Sequence, residues 1–331
     1  MAQQNPPAAT DPSPATTADA PLRIVYFGTP AFAVPTLAAL LKSRHSVVGL
    51  VSQPDRPRGR GHRMAATPTK ELAALCGVPV LQPLKLRDET FLRSIAELRA
   101  DLGVVAAYGR ILPEALLGIP RLGMINVHAS LLPAYRGAAP VHRAVIAGDT
   151  TTGVTIMRVV RELDAGPMLE RVTVSIDPDA TSADLEGDLA QRGAALLLDV
   201  VERIAAGTAT ETPQDEVQAT YAPKVLKSES AIDWSLPAIR IHNLVRGLQP
   251  WPMASTLLDE GRVLIHRTSV PGIAAHAPPG TIVAAEGDTL AVSTGEGVIS
   301  ILQVQPEGRR PMTAREFLSG HRVVPGARLP S

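Results

Sequence analysis

Leu22–Phe27 (LRIVYF) is an apolar run that stops at Gly28, the pattern of a buried strand entering a tight turn. Pro30 stands where a first helical position would fall, and Phe32, Leu37, Leu40 and Leu41 follow on one helical face. Ser46–Val51 reads as a second strand. Thr67-Pro68 is an N-cap hydroxyl followed by a first-turn proline, which starts another helix. Further strands are predicted at Leu102–Ala106, Met124–His128 and Val154–Val159, with helical segments between them. Strands alternating with helices predict an α/β fold with a mostly parallel sheet, its function gathered at the carboxyl ends of the strands.

The rhythm changes after a long helical stretch, Thr181–Ala206. Gly207–Gln218 is polar and has linker composition. Beyond it come Trp234, a short helix near Ile239–Gly247, and short strands at Val263–His266, Gly280–Ala284, Thr289–Ser293 and Val298–Gln303, punctuated by Gly and Pro. That pattern predicts a small β-barrel. The expected division is a tail over 1–21, an α/β unit over 22–206, a linker over 207–224 and a barrel unit over 225–331. No internal repeat is visible.

Composition narrows the options. At 331 residues the chain is long enough for two domains. No apolar run approaches the ~18–20 residues of a membrane span, so a soluble protein without a membrane partner is expected. The first 21 residues are Pro/Ala/Thr-rich with no Lys or Arg, unlike a secretory signal or a mitochondrial presequence, so a disordered tail and a cytoplasmic location are expected. Lys plus Arg and Asp plus Glu balance at 32 each, so contact with nucleic acid must come from local clusters. Aromatic residues at 3% leave few rings for stacking bases. The lone Cys76 excludes an internal disulfide. His45, His142, His242, His266 and His321 show no metal-ligand spacing and read as surface or capping groups, so no metal is predicted. Trp234 and Trp251 read as core or interface residues.

Met124–Pro140 (MINVHASLLPAYRGAAP) is the most informative segment. Asn126 and His128 lie two apart at the end of a predicted strand, so alternation sends both side chains to one face at the ligand-binding edge. Asp164 follows in a turn, Leu163-Asp164-Ala165-Gly166, between two predicted strands. An amide, an imidazole and a carboxylate suit acyl transfer to an amine. Asn126 can donate to an oxyanion, His128 can donate or exchange a proton, and Asp164 can orient the imidazole and carry the proton. Taken alone, an N-x-H pair is common by chance and an Asp in a turn is usually a turn-former.

The run NVHASLLPAYRGAAP, with GVTIM and LDAGPML downstream, resembles the catalytic domain of 10-formyltetrahydrofolate-dependent formyltransferases. The resemblance implies a Rossmann-like formyltransferase domain in which Asn126, His128 and Asp164 are catalytic and Ser130, Leu131, Leu132 and Pro133 line the folate site. It implies 10-formyltetrahydrofolate as cosubstrate. Four further features resemble the methionyl-tRNA branch of that family: FGTP at 27–30, QPDRPRGRGHRM at 53–64, TYAPKV at 220–225 and WPM at 251–253. That branch implies methionyl initiator tRNA as partner, an OB-like C-terminal domain that binds tRNA, and a monomer. Gln249 departs from the family's usual Asn before Pro-Trp-Pro, which touches no catalytic position.

Physical reasoning supports the same branch. The 56–63 loop carries Arg56, Arg58, Arg60, Arg63 and His62 with two glycines and no acid. A cationic loop beside a strand end suits phosphate contacts. In the resembled branch this loop wedges into the tRNA acceptor arm, with Arg60 at the important position. Arg262, Arg267, Arg309 and Arg310 form a second, weaker phosphate-binding set. A nicotinamide-dependent oxidoreductase is the contrasting class. It fails because only Gly28 stands where G-x-G-x-x-G belongs. Within formyl transfer, the competing acceptor is a small amine such as an amino sugar nucleotide or glycinamide ribonucleotide.

Overall fold

The computed structural model describes residues 20–58, 63–258 and 261–330. The expected tail, apart from its last two residues, and Gly59–His62 with Arg60 lie outside the described residues. The first half is built from β1 (Arg23–Gly28), α1 (Val34–Lys42), β2 (Ser46–Val51), β3 (Arg56–Arg58), β4 (Arg63–Ala65), α2 (Pro68–Leu75), β5 (Val80–Leu81), α3 (Glu89–Glu97), β6 (Leu102–Ala106), α4 (Glu114–Leu117), β7 (Met124–His128), β8 (Arg136–Gly137), α5 (Pro140–Ala147), β9 (Thr151–Arg158), β10 (Met168–Ser175) and α6 (Ser182–Ala205). One seven-stranded sheet runs β10-β9-β7-β6-β1-β2-β5. Its members from β7 to β5 pair in parallel; β9 and β10 are antiparallel additions at one edge.

Strand alternation builds the two faces. Ile24 and Tyr26 of β1 join one buried cluster with Leu37 and Leu40 of α1 and the apolar stripe of α6. Val25 and Phe27 join the opposite cluster with Phe91 and Ile95 of α3. In β7, Ile125 and Val127 belong to the first cluster and Met124 to the second. Period two therefore puts Asn126 and His128 on the α3 side.

The sequence pattern locates β2, β6 and β7 to the residue. It misplaces the first helix start. Pro30 precedes a 3-10 turn, Ala31–Ala33, and α1 begins at Val34 with Pro35 in its first turn. A proline is tolerated there because its missing N–H has no intrahelical partner in any case. Thr67 caps α2 as expected. Thr181 caps α6 through a reciprocal box with Asp184.

The second half holds β11 (Tyr221–Ala222), α7 (Ala238–Gly247), β12 (Ala254–Leu258), β13 (Gly261–Ser269), β14 (Ile282–Glu286), β15 (Thr289–Ser293), β16 (Val298–Pro306), β17 (Met312–Thr313) and α8 (Ala314–Gly320). Strands β12 to β17 form one antiparallel sheet, ordered β12-β13-β16-β15-β14 with β17 on β16. Its strands and α8 surround a small apolar cavity lined by Val263, Ile265, Ile282, Ile301 and Phe317. Trp234 is buried in this core, whereas Trp251 is half-exposed, not the core or interface residue expected. His45 and His242 are buried, contrary to a surface reading. His242 bridges the Thr268 hydroxyl and the Pro178 carbonyl where α7 meets the first half. No helix among the described residues is long and apolar enough to cross a membrane.

Residues 207–224, of linker composition, are tied down rather than free. Thr212 exchanges both backbone hydrogen bonds with Met168, and β11 pairs in parallel with β8. Composition signalled polarity correctly: most of these residues are exposed, and Gln214, Glu216 and Thr220 also bond the first half.

Candidate active site

His128 ends β7 at the carboxyl edge of the parallel strands, and 5% of it is exposed. Its Nε2 lies 2.9 Å from the Tyr135 carbonyl oxygen. A carbonyl can only accept, so Nε2 carries a proton and Nδ1 is the nitrogen left to exchange one. That Nδ1 is 3.7 Å from Asp164 Oδ2. Tyr135 reaches this geometry with φ of 61°, while its hydroxyl donates to Asp149 at 2.7 Å. Burial and the neighbouring Asp149 carboxylate push the Tyr135 phenol well up from its ordinary range.

Asp164 sits on the turn between β9 and β10 with φ of 49°, the left-handed region that non-glycine residues seldom occupy. Its Oδ2 accepts the Gly137 N–H at 2.9 Å. Two glycines make this approach feasible. A Cβ on Gly166 would lie 2.0 Å from the Arg158 carbonyl oxygen, and one on Gly137, which holds φ of 123°, would lie 2.8 Å from the Ala222 carbonyl oxygen. Asn126, one pleat back from His128, is half-buried, and its amide makes no hydrogen bond among the described residues. The three sequence-predicted residues thus divide into His128 and Asp164, whose nearest polar atoms are 3.7 Å apart, and the amide of Asn126, which makes no hydrogen bond among the described residues.

The Ser130–Pro133 turn is held from beneath. Thr155, fully buried on β9 opposite His128, donates to the Ser130 carbonyl at 2.7 Å and accepts from the Leu132 N–H at 3.1 Å. The Ser130 hydroxyl is used internally, donating to the Ala134 carbonyl, and Leu132 is fully buried. Leu131 and Pro133 alone of the four keep side-chain surface. Thr155 escaped the sequence reading, although a hydroxyl inside the apolar run GVTIM was its signal.

The arginine loop leaves the same edge. Strand β2 is three strands from β7, or ~14 Å at ~4.8 Å per strand. Arg56–Arg58 and Arg63–Ala65 form a short antiparallel hairpin, so the expected irregular loop has paired sides. At its base Lys70 bonds Asp55 and Gln82, and Gln82 bonds Asp55 in turn. These bonds hold the Asp55 carboxyl below the usual carboxylate range. Arg56 is exposed and reaches Gln53. In the second set, Arg262 bonds the Ser230 hydroxyl and Arg310 pairs with Glu316, so both are partly occupied. Leu84 and Ile111 stand exposed on the loops after β5 and β6, joined where Arg110 bonds the Leu84 carbonyl.

A carboxylate 3.7 Å from an imidazole, with an amide one pleat back at the open edge of a parallel sheet, is chemistry suited to acyl transfer with proton movement. The chain belongs to the formyl transferase family. Residues 22–201 match the formyl transferase family itself and residues 224–322 match the formyl transferase C-terminal domain. Among solved structures, it is similar to HypX from Aquifex aeolicus in complex with tetrahydrofolic acid (TM-score 0.63, 17% identity, 90% of this chain and 47% of HypX). It is also similar to WlaRD, a sugar 3N-formyl transferase studied with dTDP and 5-N-formyl-THF (0.65, 14%, 87% and 99%). A third is the N-formyltransferase from Helicobacter canadensis in complex with folinic acid and dTDP-3-aminofucose (0.64, 16%, 85% and 98%). The chain spans about half the length of HypX. At these identities the likeness is one of fold.

Proposed function

We propose that this protein transfers a formyl group from 10-formyltetrahydrofolate to the amino group of methionyl initiator tRNA, acting as a monomer in the cytoplasm. Residues 22–206 are the catalytic unit, 207–224 a connector and 225–331 a tRNA-facing unit. The observation that carries the reading is the meeting of His128 and Asp164, 36 residues apart in sequence, at 3.7 Å beside the unbonded amide of Asn126. Leu131 and Pro133, with exposed Leu84 and Ile111 on the same sheet edge, offer apolar surface suited to a flat aromatic carrier.

The folate supplies a formyl group bonded to nitrogen. As the incoming amine adds to the formyl carbon, its oxygen takes up negative charge, and Asn126 Nδ2 donates to it. His128 is held with Nε2–H on Tyr135, so Nδ1 faces the reacting atoms and, when protonated, stabilises the same charge. Asp164, fixed by the Gly137 N–H, accepts the proton lost by the amine, directly or through His128. The carbon–nitrogen bond to the carrier then breaks as that proton is returned to the departing nitrogen. Charge and protons balance over the two steps.

The arginine hairpin supports a polyanionic acceptor, since a small amine needs no cationic arm ~14 Å from the chemistry. The sugar N-formyltransferases of like fold make an amino sugar nucleotide the competing acceptor. Incubation with radiolabelled 10-formyltetrahydrofolate and, separately, methionyl-tRNA and a dTDP-amino sugar decides between them. Label in methionyl-tRNA, with KM for tRNA rising steeply with salt, is the expected result. Label only in the sugar nucleotide overturns the tRNA assignment while sparing the site.

A further inference from the structure

The connector between α6 and β11 reaches back to the turn that carries Asp164. Gln214 Nε2 donates one hydrogen bond to the Asp164 carbonyl and one to the Gly166 carbonyl, both at 2.8 Å. Its Oε1 accepts from Arg136 Nε at 3.0 Å. All three contacts fix the orientation of the amide, because carbonyls accept and the guanidinium donates. Arg136 is buried, with 2% of its side chain exposed. It grips the Glu216 carboxylate through both terminal nitrogens, at 2.9 and 2.7 Å. The next residue, Gly137, supplies the N–H that holds the Asp164 carboxylate. The bonds close a ring: Arg136 side chain, Gln214 amide, Asp164 main chain, Asp164 carboxylate, Gly137 N–H, and back along the chain to Arg136.

We infer that Gln214 is a positioning residue for Asp164, anchored in turn by Arg136 and Glu216. The physical need is plain in the backbone. Asp164 occupies φ of 49° on a turn whose preceding residues, Arg161–Leu163, are solvent-facing. Aspartate tolerates that conformation better than most side chains but still at a cost, and contacts from elsewhere hold it there. Gln214 supplies two of them and comes from 50 residues downstream. Thr220 reinforces the same arrangement, accepting the Tyr135 N–H at its hydroxyl and the Arg136 N–H at its carbonyl. The segment that joins the two halves therefore completes the site instead of merely leading away from it.

The inference rests on Asp164 serving the transfer as proposed above, and the test separates the two. Full-length protein is compared with Gln214→Leu, Gln214→Glu, Asp164→Asn and the double variant Gln214→Leu/Asp164→Asn. The substrates are 10-formyltetrahydrofolate and whichever of methionyl-tRNA and the dTDP-amino sugar accepts label. Misplacing a reacting group by ~1 Å costs up to ~100-fold, so Gln214→Leu should lower kcat by ~10–100-fold with KM for the folate changed less than ~3-fold. In the Asp164→Asn background the same substitution should add less than ~3-fold, because its effect passes through the carboxylate already lost. Gln214→Glu keeps an acceptor for Arg136 but turns an acceptor oxygen toward two carbonyls. It should match Gln214→Leu, and it decides the matter if the leucine variant does not fold. Normal kcat in the Gln214 variants alongside an impaired Asp164→Asn, or an equal loss in both backgrounds, overturns the positioning role and leaves Asp164 in place. Normal turnover in Asp164→Asn overturns both.

Discussion

At the carboxyl edge of the parallel strands, Ala107, Tyr135 and Asp164 hold φ of 44°, 61° and 49°, and the amide of Asn126 has no hydrogen-bond partner among the described residues. Within the antiparallel sheet of the second half, Ile265, Val292, Ile299, Ile301 and Val304 are buried at 2% exposure or less, and Trp234 closes the core with its Nε1–H on Thr256. The described strands of that sheet carry no positive-φ residue other than glycine; Met253, just before β12, is the nearest. Among the described residues, three of the five positive-φ residues other than glycine lie at this edge, where a reacting group must be presented rather than buried. The second sheet obeys ordinary packing rules and can spread its stability over many side chains.

That contrast is open to breakage. The largest expected effect is on stability. Trp234→Ala removes a fully buried indole and should cost ~3–5 kcal/mol in denaturant unfolding, while kcat per folded molecule stays within about twofold. A kcat that collapses at unchanged folded fraction would merge the two regions. Next comes Asn126→Ala. Its amide holds nothing internally, so the melting temperature should barely move while kcat falls ~10²–10³-fold, or ~3–4 kcal/mol of barrier. Parent-like turnover would remove Asn126 from the chemistry.

The smallest effect concerns the joint between the halves. Arg143 grips both oxygens of Glu229, at 2.5 and 2.9 Å, and holds that carboxyl below its usual range. A depressed carboxylate stabilises the fold above the unfolded value near ~4.3, and that contribution is lost as pH falls through the lower folded value. Arg143→Met should therefore cost ~1 kcal/mol near pH 7, with the gap to the parent closing as pH drops below ~4. Urea titrations at several pH values measure it, and a gap independent of pH would mean that packing, not charge, joins the halves here.

Local pattern determined a good deal of this molecule. Alternating apolar runs located β2, β6 and β7 to the residue, and Thr67 marked its helix because a capping hydroxyl acts on N–H groups only a few residues away. Period two was enough to set Asn126 and His128 on one face. The strands and breakers of residues 254–313 were visible for the same reason, though β12 and β17 were missed. Tertiary structure alone decided the rest. That His128 presents Nδ1 follows from the Tyr135 carbonyl, that Thr155 holds the Ser130–Leu132 turn follows from register with β9, and that Gln214 reaches Asp164 follows from a connector folding back over 50 residues. Periodicity records which side of an element is buried, a property of neighbours along the chain. Which polar atom meets which depends on distances between segments far apart in sequence, and those exist only once the chain has packed.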